Sequence, residues 1–307
     1  AKAFDRAVKL YERLLDEFPD SDVADSARYN LGLSFEGLAE WAQAARAFEG
    51  VIASHPDPET RVDAHFRLAY VFAKSERWQD AADTLYTLRV DNELEFLEEL
   101  EAWVDMSVAL FMNGDYATAE RELMRALSFH EKNARSRFIP SEHWVGKSRF
   151  YLGMIYVRWF EEETLSEPVD PDEEDAWVAA MSEELEEKCR LLLRAQSNFI
   201  RTIRVGHTGW ATAAGYEIGK LYETLYDQMI EAPVPESLSE EAKQVYREEL
   251  QSRVKVLVVK AIKVYEMSKE MAERVGEQNQ WVERTKSALE RMKSLYLASS
   301  EARAEET

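Results

Sequence analysis

The residues that could do chemistry are few, and their spacing does not suit it. His55, His65, His130, His143 and His207 never stand four apart, so no helix offers the paired imidazoles of a zinc site. Gly146-Lys147-Ser148 ends like a phosphate-binding loop, yet the slot of that loop's first glycine holds Ser141. There is no Gly-x-Ser-x-Gly elbow for a nucleophilic serine. Cys189, between Lys188 and Arg190, reads as a partly buried small apolar residue. Asp170, Asp172 and Glu174 imitate the first ligands of a calcium loop. However, Asp175 replaces the obligatory glycine, and Met181 stands where the bidentate glutamate belongs. The expectation is a protein with no catalytic residue, no metal and no cofactor.

Composition narrows the classes further. The chain has 307 residues, 59 acidic against 38 basic, for a net charge of −21. That charge argues against nucleic acid, whose phosphates want a basic stripe, and against an anionic membrane surface. No apolar run is long enough to span a membrane. With 46% hydrophobic residues the chain can build a core, and only 11 Gly and 8 Pro disfavour a turn-rich β fold. One cysteine excludes an internal disulfide framework.

The elements that would position any site come from a repeat. Ala7-Tyr11-Leu14, Ala44-Phe48-Val51, Ala81-Leu85-Leu88 and Ala119-Leu123-Ala126 share one spacing, with leading alanines 37, 37 and 38 apart. A second pattern precedes most of them: Leu31-Gly32…Phe35, Leu68-Ala69…Phe72, Leu152-Gly153…Tyr156, Ile218-Gly219…Tyr222, and more weakly Met106-Ser107…Leu110. Trp41, Trp78 and Tyr116 each stand three residues before their alanine. Spacings of three and four put these residues on one helix face. A small residue on each of two facing helices lets the axes approach, and Pro19 and Pro56 stop the second helix. A single hairpin cannot bury its own apolar face, so hairpins must stack into an all-α solenoid.

This pattern resembles the tetratricopeptide repeat (TPR). Leu31-Gly32…Phe35…Ala44…Phe48…Pro56 follows it nearly residue for residue, and the resemblance covers most of residues 1–276. It implies a right-handed superhelix of helix A and helix B hairpins whose concave wall binds protein segments. Phe18-Pro19-Asp20-Ser21, followed by Ala27-Arg28-Tyr29-Asn30-Leu31-Gly32, is similar to bacterial envelope members. Those include outer-membrane assembly lipoproteins and cell-division coordinators. Two hairpins with equal insertions of 30 residues, between Gly153 and Ala195 and between Gly219 and Ala261, are similar to deltaproteobacterial envelope proteins that include gliding-motility components. The resemblance therefore implies a periplasmic or outer-membrane-associated location, with the cytoplasm as the alternative.

Residues 1–21 read as a half repeat, a lone helix B, and 22–146 as three regular hairpins. Residues 147–276 read as two hairpins carrying about 30 extra residues each at the tip, and 277–307 as a capping helix and frayed tail. In the second insert Ser239 caps a helix expected over Glu240 to Val275, about 54 Å long. Trp177, Met181, Leu185 and Leu192 are expected to pack against Val245, Leu250, Val254 and Leu257 from the neighbouring tip. The chain starts inside a helix B without Met, which reads as a trimmed or mature fragment.

Two rows carry the functional expectation. Three residues before the glycine slot stand Tyr29, Phe66, Val104, Phe150 and Tyr216; one residue after it stand Leu33, Tyr70, Val108, Met154 and Lys220. The resemblance places both on the concave wall, with Lys147, Arg158 and Lys220 near its end to meet a partner's carboxylate. The fuller Lys and Asn set of a chaperone-tail clamp is missing. Residues 161–188, with 13 acidic residues and one Lys, form a solvated acidic run or a dock for a basic partner. The reading is a non-catalytic scaffold binding a protein or peptide on the concave face. The alternative is a spacer whose groove is filled by its own residues, with partners docking at the ends or inserts; an enzyme ranks last.

Overall fold

The computed structural model describes residues 2–54, 57–91, 93–134, 137–165, 174–234 and 239–305, and among these every regular element is an α-helix. The chain divides into two compact units, Ala1–Phe138 and Ile139–Thr307. The first holds α1 (Lys2–Glu17), α2 (Ala24–Gly37), α3 (Trp41–Ala53), α4 (Pro58–Lys74), α5 (Trp78–Asp91), α6 (Phe96–Met112) and α7 (Tyr116–Ala134). The second holds α8 (His143–Glu162), α9 (Glu174–Val205), α10 (Thr208–Ile230), α11 (Glu240–Val275) and α12 (Gln280–Glu305). Within each unit, helices pack chiefly on their neighbours in sequence, as stacked hairpins do.

Local chemistry sets the helix limits. Pro58 opens α4 while the Asp57 carboxylate accepts from the Thr60 N–H at 3.0 Å. Glu98 reaches back to the Glu95 N–H at 2.9 Å to start α6. Ser239 accepts from the Ala242 N–H to start α11, which then runs without Gly or Pro until Gly276, at φ 70°, ends it. The repeat alanines Ala44, Ala119, Ala195 and Ala261 are fully buried. Beside them the helix A glycines hold helix B aromatics: a Cβ on Gly32 would lie 2.7 Å from the Phe48 ring, and one on Gly153 2.5 Å from Phe199. Gly219 stands in the same relation to Tyr265. The repeat motif is therefore a ring seated on a helix that lacks a side chain.

In the long hairpins α9 packs on α8 and α10, and α11 on α10 and α12. Of the residues expected to meet between the tips, Leu192 and Val254 are buried in one core cluster, and Leu185, Leu250 and Leu257 are half-buried against it. Trp177 is buried as well, whereas Val245 stays 64% exposed. Each insertion lengthens helix A as well as helix B, so each extended helix B also has a partner within its own hairpin. The last helix is also longer than expected and continues through residue 305. Asp170, Asp172, His55 and Pro56 lie outside the described residues.

Candidate functional site

In the first unit α2, α4 and α6 present the expected rows. Tyr29 sits edge-on to Phe48 at 5.6 Å, and Leu33 and Phe66 are half-buried on the same core. Arg67, beside Tyr29, donates to Glu36 at 3.2 Å, tying α2 to α4. Tyr70 is 44% exposed, with the Lys74 ammonium 5.3 Å from its ring centre. Val108 is half-buried, but Val104 is fully buried and cannot line a surface. Repeat-to-repeat packing has closed over that position. What remains is an aromatic and aliphatic strip with Tyr70 at its most open point, bordered by Arg67, Glu36 and Lys74.

The second unit fills the equivalent wall with its own residues. Phe150 is buried among Phe199, Trp210 and Trp281, at ring-centre distances of 5.6, 5.2 and 6.3 Å. Tyr216 lies 5.7 Å from the same Trp281, and Met154 is half-buried in this cluster. Phe150 is therefore a core residue rather than an anchor, because α12 lays Trp281 over it. The three expected cations each have a neighbour in the chain. Lys147 stands 5.2 Å from the Trp144 ring, Arg158 pairs with Glu161 at 2.6 Å, and Lys220 lies 3.8 Å from Glu223. Beside Arg158 and Lys220, Glu217 is pushed up to about 7, first by burial and then by Glu161, against the pull of Arg158, Arg284 and Lys220.

Several features appear only in three dimensions. His143 and His207, 64 residues apart, approach to 3.4 Å; His143 Nδ1 also accepts from the Trp210 indole N–H at 3.3 Å. The Trp210 backbone N–H donates to His207 Nδ1, so the imidazole caps α10. Among the described residues no group of three or more His, Cys, Asp or Glu is placed to hold a metal ion. Gly146 lies inside α8, where a Cβ would meet Trp210 at 2.9 Å, so Gly146-Lys147-Ser148 forms no loop. His65 is buried with Nδ1 2.8 Å from the Arg61 carbonyl, a packing role. Cys189 is exposed, contrary to the sequence expectation. Two grooves of about 430 and 450 Å³ open on the helix B side, over α4 and α6 respectively. Tyr86 and Val90, four apart and both exposed on α5, were the overlooked signal for the second.

An array of stacked helical hairpins with apolar strips suggests a protein-interaction architecture. Residues 29–92 match one tetratricopeptide repeat family profile and residues 1–21 another, so these stretches of the chain are tetratricopeptide repeats. No curated protein matches the chain. Among solved structures, it is similar to BtubC (BKLC) of P. vanneervenii at 11% identity and TM-score 0.45, covering 97% of this chain and 90% of that one. It is also similar to a tetratricopeptide repeat protein of Parabacteroides merdae at 12% identity and TM-score 0.39, covering 95% and 99%. A tetratricopeptide repeat protein of Bacteroides fragilis aligns at 12% identity and TM-score 0.34, covering 88% and 98%. Among the described residues no helix is long and apolar enough to cross a membrane.

Proposed function

We propose that this protein is a non-catalytic scaffold that holds a segment of a partner protein against α2, α4 and α6 of its first unit. The observation that carries the reading is the strip Tyr29, Leu33, Phe66 and Tyr70, half-buried to exposed and flanked by Arg67 and Lys74. Aromatic anchors of this kind contribute area at low entropic cost and dominate binding energy. Purification of partners with the intact chain, compared with a Tyr70→Ala, Leu33→Asp variant, tests it. The variant should keep its circular dichroism spectrum and lose the partner by at least about tenfold. A variant that binds as well as the parent would remove this strip from consideration.

The second unit favours a supporting role, because Trp281 occupies the wall a ligand would need. We place the scaffold in a bacterial envelope complex for assembly or motility. The support is the segment Phe18-Pro19-Asp20-Ser21 with Ala27 to Gly32 after it, similar to envelope assembly proteins, and the two long hairpins, similar to motility components. Fractionation of cells making the native protein checks the compartment: recovery in the cytosol alone would overturn it.

A further inference from the structure

The outward face of α9 carries a surface that the scaffold reading does not use. Ser182, Leu185, Glu186, Cys189, Arg190, Leu193, Arg194 and Ser197 follow one another at helical spacing and line a depression of about 670 Å³. All of its walls come from this one helix, so the depression has no opposite side. Leu193 is 60% exposed, and Cys189 and Ile200 are also exposed along the strip.

Charge along α9 is split at the middle of this depression. Glu183, Glu184, Glu186 and Glu187 precede Lys188, whereas from Lys188 to Tyr216 there are five Lys or Arg and no acidic residue, in a chain of net charge −21. Of the basic residues, Arg190, Arg194, Arg201 and Arg204 are exposed while Lys188 is buried. The adjoining face of α11 continues the pattern. Residues 250–265 hold four Lys or Arg and no acid, and Lys260 lies close enough to Cys189 to act on it electrostatically. Exposed Val256, Val259, Lys260 and Lys263 repeat the positions of Arg190, Leu193, Arg194 and Ser197 at a constant offset of 66 residues.

We infer that this face binds a second copy of the same chain, α9 against α9, antiparallel about a two-fold axis near Cys189. The reversal lays the acidic half of each helix over the basic half of the other. With the axis at residue 190, Glu186 of one copy faces Arg194 of its mate, and Glu183 falls between Arg194 and Arg201. Leu193 comes to lie beside Cys189. Every such pair occurs twice, as an isologous contact requires. A parallel arrangement would stack like charges, so the charge pattern selects the direction as well as the partner. Arg190, which approaches its own copy at the axis, is already neutralised by Glu187. The acidic half of the incoming helix also passes the Lys260 and Lys263 side of the surface. This contact lies on helix B of the second unit, so it does not depend on the helix A strip proposed for a partner.

The intact chain is examined by light scattering and sedimentation at low and high salt, with Glu186→Arg, Arg194→Glu and the double exchange. Both positions are exposed, so the substitutions leave the core intact, which circular dichroism checks. A dimer is expected that weakens with salt. Each single exchange should weaken it by at least about tenfold, and the double exchange should restore it. A short thiol-reactive cross-linker should join Cys189 to Cys189 in the parent and in the double variant only. A monomer at sub-millimolar concentration overturns the inference, whether or not the face binds some other acidic protein. So does a dimer indifferent to both single exchanges, or a double exchange that fails to restore association.

Discussion

Glu217 shows what burial does to a single group in this molecule. Its carboxyl titrates near 7 in the folded chain against 4.5 when exposed, because burial and Glu161 disfavour its charge more than Arg158, Arg284 and Lys220 favour it. Between those two values the unfolded chain releases a proton that the folded chain keeps. Stability from this group is therefore complete below pH 4.5 and is lost as pH rises through 7. The loss is on the order of 3 kcal/mol. Glu217→Gln should remove that dependence, being more stable than the parent at pH 8 and close to it at pH 4.5. Urea titrations at the two values decide this, and parallel pH profiles would show that Glu217 is not buried in solution.

At the level of the element, the extended hairpin of α8 and α9 is held by one unusual residue. The Lys188 ammonium is buried, donates to the Phe160 carbonyl at 2.8 Å and to the Glu163 carbonyl, and lies over the Phe160 ring. Those carbonyls end α8, where no intrahelical N–H can reach them, and a cation also suits the negative end of the helix dipole. A lysine on one helix thus caps the other, and burial pushes its ammonium down from the usual lysine range. Lys188→Met keeps the stem and removes the cap, and should cost about 2–4 kcal/mol by leaving buried carbonyls unpaired. An unchanged denaturation midpoint would show that water replaces the ammonium at no cost.

Across the whole molecule, each unit has its own core. Phe48, Phe72 and Leu85 gather one, and Phe199, Tyr265 and Phe160 gather the other. Because hairpins in each unit touch chiefly their sequence neighbours, damage should decay with distance along the array. Gly153→Ala forces a methyl group against Phe199 and should destabilise by ~1–3 kcal/mol. Hydrogen exchange followed by mass spectrometry should then rise in α8, α9 and α10 and stay at parental rates in α2 to α5. A uniform rise would mean that the chain opens as one cooperative body.

The repeat could be read without coordinates because its physics is local. Gly32 with Phe48 follows from periodicity and size alone, as do the small-residue slots at Gly153 and Gly219 and a helix uninterrupted from Glu240 to Val275. The partner surfaces could not be read in the same way. Phe66 and Phe150 occupy identical repeat positions, yet one borders an open strip and the other lies under Trp281, which is 131 residues further along the chain. Nor does spacing show that His143 meets His207, or that Lys188 ends up on the carbonyls of α8. Exposure depends on which distant element reaches a position first. A pattern of period three and four records the side of a helix that must be covered, while only the packed chain decides what covers it.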